Sequence, residues 1–454
     1  MTENPGRPSP PPSPGRPSQL LRVLGVAFGL AMIVGNTIGA GILRSPGEVA
    51  AALPSSAWFI GAWVAGGLYA MLGAMTMAEL TVMIPQSGGQ YVYARRALGE
   101  YPAFVIGWSD WVSSCGAIAA VSIALGELTG QIVPSLAGKE TSVAVGVIVL
   151  FTAVNWVGVR SGDKVQQLLS LLKTVTLLAV AAACFTKPAA QSAGQLSVAL
   201  PTGFAFVSAL VFVFQNVLYS YDGWNGITYF GGEMKDPGRE VPRAMAYGVL
   251  AVLAVYLALN AAYLHVLGMG GLANDKFPAA TAANVVFGSA GMGIVRAVMA
   301  VTLLGSVNAI LMIASRTPYA MAEDRLLPRF VSRVNTGGTP HLSLGASTLL
   351  CAGLVLSGTF QTVVALSAFF YVMQYAATFL SLFVLRRKEP ETPRAYVVWG
   401  YPWVPGLVLF GALAFIAGNF VGDRANSVRA LVVIAASYPA YRAAKRLLRD
   451  KTLD

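Results

Sequence analysis

Apolar runs of about 20 residues follow one another along almost the whole chain, each long enough to cross a hydrocarbon core about 30 Å thick. Twelve such spans are expected, near 23–50, 57–84, 102–127, 142–159, 165–185, 204–230, 243–267, 289–315, 343–358, 361–385, 402–421 and 427–443. Lipid offers no hydrogen-bond partner to an unpaired backbone, so every span has to be a helix. The expected fold class is therefore an all-α integral membrane protein with twelve transmembrane helices. Composition agrees. Only 11% of the 454 residues are charged and mean hydropathy is +0.63, whereas a soluble domain carries about 25% charged residues.

The ends of the chain read differently. Residues 1–19, MTENPGRPSPPPSPGRPSQ, are rich in Pro, Ser and Gly, cannot bury a core and read as a disordered tail. They contain no short apolar run ending in a small-residue cleavage site, so they do not read as a signal peptide. Residues 444–454 read as a second tail. The net charge of +11 would suit nucleic acid, but the basic residues form short clusters between apolar runs. With both termini in the cytoplasm, 23 Lys and Arg fall on the cytoplasmic side. Only Arg44, Lys139, Lys187, Lys276, Arg296, Arg424 and Arg429 fall on the outer side, and Lys173 lies within a span. The positive-inside rule selects that orientation, and no nucleic-acid partner is expected. Cys115, Cys184 and Cys351 all sit in apolar runs and read as small buried hydrophobes. His265 and His341 stand alone, so no metal and no cofactor are expected.

Two spans are weakened at their centres. The first contains GNTIGAGILRSP (35–46), with glycines at 35, 39 and 41, each costing about 1 kcal/mol of helix stability relative to Ala. The sixth runs apolar to Leu218 and then turns polar at Tyr219-Ser220-Tyr221-Asp222-Gly223, residue types that favour leaving a helix. Paired breaks at matching places in two five-span halves, 20–185 and 204–385, point to a transport site built on inverted repeats. Helices 11 and 12 (402–443) lie outside that repeat. Close helix packing through small-xxx-small faces is the competing explanation of either break alone. A broken helix exposes N–H groups at the start of one half and C=O groups at the end of the other. The macrodipole adds positive charge to the first set and negative charge to the second. Such a break can hold a zwitterion with a carboxylate and an ammonium on one carbon. A dinucleotide loop is excluded, because Arg44 stands where the third glycine of G-x-G-x-x-G would be and no strand precedes the stretch.

These residues resemble the amino acid–polyamine–organocation (APC) superfamily, specifically its L-type amino acid transporter group and the bacterial serine/threonine exchanger branch. The resemblance rests on GNTIGAGILRSP, AELTVMIPQSGGQYVYARRALG, YDGWNGITYFGGEMKDPGREVPRA, AMAEDRLLPRF and GYPWVPGL, and covers nearly all of the chain after the tail. It implies the inverted five-plus-five (LeuT-like) fold and sodium-independent exchange of small neutral L-amino acids in a bacterial inner membrane. The alternatives are a proton-coupled symporter and a cationic amino acid or polyamine antiporter. It also implies that main-chain N–H groups of Gly39, Ala40 and Gly41 hold the substrate carboxylate. Main-chain carbonyls of Thr37, Tyr219, Ser220 and Asp222 would hold the amine, and the Tyr219 ring would close over the substrate. Ala40 stands where many relatives carry Ser, leaving backbone donors alone. Many eukaryotic relatives are disulfide-linked to a heavy subunit through a cysteine between helices 3 and 4. TGQIVPSLAGKE has none there, so no such partner is expected.

The charges within spans leave choices open. Lys173 either snorkels to the cytoplasmic edge, or, as the resemblance implies, places its ammonium where sodium-coupled members bind an ion. It could also carry a coupled proton. Asp222 either attracts a cationic side chain or caps the restarting helix and pairs with a neighbouring donor. Glu79 and Asp110 read as structural, and Glu127 as facing water. Gly39, Ala40 and Gly41 favour a small uncharged substrate. Ser113, Ser114, Ser306 and Asn308 are further candidates for the pocket. An enzyme is disfavoured because no cluster of acids, metal ligands or nucleophile with base is present.

Overall fold

The computed structural model describes residues 20–190, 200–273 and 275–450, so the expected tail at 1–19 lies outside the described residues. The described chain is helical throughout. The helices in order are α1 (Val26–Thr37), α2 (Ala40–Ala52), α3 (Ser56–Met83), α4 (Gln90–Leu98), α5 (Glu100–Ile132), α6 (Glu140–Val157), α7 (Val159–Cys184) and α8 (Gly203–Tyr221). They continue with α9 (Pro237–Leu272), α10 (Pro278–Phe287), α11 (Gly291–Ala314), α12 (Arg316–Glu323), α13 (His341–Ser357), α14 (Phe360–Lys388), α15 (Trp403–Gly422) and α16 (Arg424–Asp450). Among the described residues there is no strand, only two isolated bridges, Leu24 with Met234 and Ser87 with Phe230.

Nine helical segments among the described residues are long and apolar enough to span a membrane, and α1 with α2 makes a tenth if the bent pair is one span. The other two expected spans coincide with α13, apolar but of 17 residues, and α16. α16 continues through Asp450, so residues 444–450, expected to belong to the tail, are helical.

Both expected interruptions are present. α1 and α2 meet at a 51° bend, with Ile38 and Gly39 in extended backbone between them. α8 stops at Tyr221, Asp222 is extended, and Gly223 takes φ 115° before a 3-10 segment, Trp224–Tyr229. That left-handed φ needs glycine, and a side chain at Gly223 would stand 2.8 Å from the Asn36 carbonyl carbon. The breaks therefore touch.

The packing forms two main bodies. The larger apolar core joins α1, α3, α8 and α9, while a second gathers Cys115, Ile148, Leu311, Leu344 and Cys351 from α5, α6, α11 and α13. Gly35 lets α1 lie directly on α7, since a side chain there would overlap Gln166 and Ser170.

Buried ion pairs hold the end of the bundle where α1 begins and α14 finishes. Glu79, with no exposed surface, accepts from Arg386 at 2.9 and 2.6 Å and lies 3.3 Å from Arg394, and also accepts from the Val398 N–H at 2.8 Å. Glu233 takes both prongs of Arg316 at 3.0 and 2.9 Å, and Asp110 accepts from Tyr229 and Thr317, each at 2.8 Å. These contacts agree with the structural reading of Glu79 and Asp110, and Glu127 is exposed as expected. Removing one partner of a buried pair leaves a charge uncompensated, so Arg386→Ala is expected to lower stability by about 3 kcal/mol. Thermal melting of the purified protein in detergent checks this; an unchanged midpoint would show that Arg394 and Val398 suffice.

Candidate substrate site at the paired helix breaks

The break in the first span leaves main-chain carbonyls at the end of α1 that lipid cannot satisfy. Lys173, reaching across from α7 and wholly buried, donates to the carbonyls of Gly35 at 2.9 Å and Ile38 at 2.6 Å. Its ammonium sits against the negative end of α1, where the macrodipole favours a cation. It does not snorkel to a membrane edge. α7 itself is held to α1 by Ser170 and Gln166, both donating to the Ala31 carbonyl, at 2.8 and 3.3 Å.

The two breaks are then tied to each other. The Tyr256 hydroxyl of α9 lies 3.0 Å from the Thr37 carbonyl and 2.6 Å from that of Ser220, sharing its proton between them. Asn36 donates through its side-chain amide to the Gly223 carbonyl at 3.1 Å. The Asp222 N–H donates to the Tyr219 carbonyl at 3.3 Å. Of the four carbonyls expected to receive a substrate amine, those of Thr37, Tyr219 and Ser220 therefore already accept one internal bond. Each carbonyl oxygen has a second lone pair with which to accept another.

On the donor side, α2 begins at Ala40 with Gly39 as its N-cap, and no side chain caps that end. Among the described residues, no side chain accepts from the N–H of Gly39 or Gly41 at this helix start. The glycines differ in purpose. A side chain built on Gly39 would find only the Thr37 carbonyl, 3.8 Å away, whereas one on Gly41 would lie 2.9 Å from Ser220 Cα. Gly41 faces the neighbouring helix and not a ligand space. Its smallness serves close packing of α2 on α8, and the free space lies at Gly39.

Beside the breaks opens a cavity of about 540 Å³ walled by α3, α5, α8, α14 and α15. Tyr219, Tyr221, Asp222 and Trp224 line it at the sixth span, Ala117, Ala120 and Val121 along α5, and Tyr371, Tyr375 and Phe379 along α14. The Tyr219 ring is 74% exposed, so no substrate seat is closed beneath it here. The Asp222 carboxylate accepts from the Tyr375 hydroxyl at 2.5 Å and also from the backbone N–H of Gly223, at the start of the 3-10 segment.

The remaining candidates are placed elsewhere. None of Ser113, Ser114, Ser306 and Asn308 lines the cavity. Ser306 donates to the Thr302 carbonyl within its own helix, and Asn308 joins Asn155, Gln166 and the Gly162 carbonyl in a buried network binding α6, α7 and α11. Sequence reasoning missed Asn36, Tyr256 and Tyr375. Each is a polar group inside an apolar run, a signal that marks function or a specific partner in membranes.

Two interrupted membrane helices that meet beside a cavity are the arrangement of a membrane transporter, and the family comparison assigns this chain to that class. The chain belongs to the amino acid permease family, whose family model matches residues 24–437, and this places it in the APC superfamily of multi-pass membrane proteins. It is 29% identical to the serine/threonine exchanger SteT of Bacillus subtilis over 435 residues, 94% of this chain and 98% of that protein. It is 28% identical to the human b(0,+)-type amino acid transporter 1 over 386 residues, 83% of this chain and 79% of that one. An uncharacterized transporter of Mycobacterium tuberculosis is 29% identical over 439 residues, 96% and 94% of the two chains.

Removal of the Lys173 ammonium leaves two buried carbonyls without a donor. Lys173→Met is expected to cut transport about tenfold or more, the size of a lost hydrogen bond to a charged group, while the protein still folds. Uptake into proteoliposomes, read beside a detergent melting curve, checks this.

Proposed function

We propose that the protein exchanges small neutral L-amino acids across a bacterial inner membrane by alternating access, without sodium. The observation that carries this reading is the Lys173 ammonium held between the Gly35 and Ile38 carbonyls. A fixed cation there does what a bound cation would do for the end of α1, so no free ion is needed to stabilise the break. The substrate carboxylate is assigned to the first-turn N–H groups of Gly39, Ala40 and Gly41. Its ammonium is assigned to the free lone pairs of the Thr37, Tyr219, Ser220 and Asp222 carbonyls. Tyr219 is the ring that swings over the seat as the outer side closes. The similarity to the exchanger SteT supports exchange over net uptake.

Opening to the other face requires the bonds at the closed end to part. Glu233 and Tyr229 follow the break of the sixth span, while Arg316, Thr317 and Asp110 belong to α12 and α5. Inward opening separates these groups. With the termini assigned to the cytoplasm, the closed end is cytoplasmic and the 540 Å³ cavity faces outward. No disulfide-linked heavy subunit is proposed.

A second reading is favoured by one observation: Asp222 contributes a carboxylate to the cavity wall, and among the described residues no Lys or Arg pairs with it. That charge would suit a cationic amino acid or polyamine.

Labelled amino acid uptake into proteoliposomes tests both readings. Loading the vesicles with unlabelled neutral amino acid is expected to raise uptake of labelled serine or alanine severalfold, with no response to sodium. Uptake that ignores internal substrate and follows an imposed proton gradient would replace exchange with proton-coupled symport. Preference for lysine or putrescine would select the second reading. Orientation is checked by single cysteines placed at Lys139 and Lys388, where an impermeant thiol reagent is expected to reach only the first in intact cells.

A further inference from the structure

Tyr375 belongs to α14, yet its hydroxyl reaches the break of the sixth span and donates to Asp222 at 2.5 Å. The ring packs against two other aromatic rings. It stacks on Trp224 with centroids 5.5 Å apart and planes 27° apart, and on Phe379 at 6.1 Å and 19°. These contacts hold the ring in the position from which its hydroxyl meets the carboxylate. Trp224 is held in turn against Gly73 of α3, where a side chain would come within 3.0 Å of the indole. All of these groups, Asp222, Trp224, Tyr375 and Phe379, line the same cavity.

A carboxylate in such a wall needs hydrogen-bond donors, and a donor given by the protein is one the substrate does not have to bring. Asp222 has neutral donors here, the Tyr375 hydroxyl and the Gly223 N–H, in place of a cation, and the hydroxyl is the one a side chain supplies. We propose, on the reading of this site as an amino acid exchanger, that Tyr375 is the specificity-determining residue that sets the charge class of the substrate. With its hydroxyl on Asp222, the site accepts a substrate whose side chain brings no donor of its own. Without the hydroxyl, the carboxylate takes the ammonium or guanidinium of a cationic side chain as its donor. The preference for neutral over cationic amino acids thus resides in one phenolic O–H. Tyr371, Tyr219 and Tyr221 also line the cavity, but Tyr375 is the one among the described tyrosines that donates to Asp222, and Tyr221 donates instead to the Trp63 carbonyl.

Tyr375→Phe keeps the ring and its stacking and removes only the donor. Proteoliposomes of wild type, Tyr375→Phe, Asp222→Asn and the double variant are compared for KM and maximal rate with alanine and with lysine. The expected result is a shift of the lysine-to-alanine preference by about tenfold toward lysine in Tyr375→Phe, the size of one hydrogen bond to a charged group. The shift should lie mainly in KM, and should vanish in the double variant because no carboxylate remains to be satisfied. A structural role alone would lower both substrates together. An unchanged preference, or a shift that persists without Asp222, overturns the proposal; so does a wild type that already prefers lysine. A wild type that exchanges no amino acid at all would instead refute the exchanger reading on which the proposal rests.

Discussion

Everything at the centre of this molecule depends on meeting the hydrogen-bond demand of two helices broken inside the membrane. In water, the freed carbonyls and N–H groups would be solvated at small cost. In a hydrocarbon environment each costs several kcal/mol unless a partner arrives. Lys173 meets the carbonyls of Gly35 and Ile38, Tyr256 those of Thr37 and Ser220, and Asn36 that of Gly223. The donors come from α7, α9 and the first break itself, so the surrounding helices are locked into one arrangement around the breaks. Among the described residues the donor end at Gly39 has no such side-chain partner, so the two sides of the break are not satisfied alike.

Close approach makes that satisfaction possible. Lys173 reaches α1 because Gly35 brings the α1 backbone down onto α7, and the breaks share the Asn36 bond because Gly223 has neither side chain nor a forbidden φ. Gly41 brings α2 onto Ser220 in the same way. Glycines that look like weak points in a helix are contact points between helices, at cost to the helix and gain to the bundle. Gly39 differs from these in having no neighbour closer than 3.8 Å where a side chain would stand.

The two ends of the bundle use different chemistry. Guanidinium–carboxylate pairs, Arg386 with Glu79 and Arg316 with Glu233, seal the closed end, and their bidentate geometry confines the helices that carry them. The open side is walled by aromatic rings and small residues, with one carboxylate satisfied by a phenol. Rings slide and rotate at less cost than a buried ion pair breaks. The two ends therefore differ in what a rearrangement of helices would have to break: buried ion pairs at one, aromatic contacts at the other.

The helical class, the position of both breaks and the identity of Lys173 as an anomalous intramembrane charge were legible in residue order. A 20-residue apolar run, a glycine cluster and a lone lysine carry their meaning locally, through the cost of exposing backbone or charge to lipid. The cavity lining was not legible: Ser113, Ser114, Ser306 and Asn308 had the right polarity, but Asn308 is spent on its neighbours and none of the four faces the cavity. Nor did the sequence reveal that Gly41 faces Ser220, that Tyr256 bridges the breaks or that Tyr375 holds Asp222. Those facts join residues 36 to 219 positions apart in the chain. In a helix bundle the face a side chain presents is set by how helices rotate and cross, a property of the packed whole. By itself the sequence determined that this chain spans membranes with two broken helices; only the tertiary structure decided which groups complete the breaks, because those partners come from helices distant in the chain.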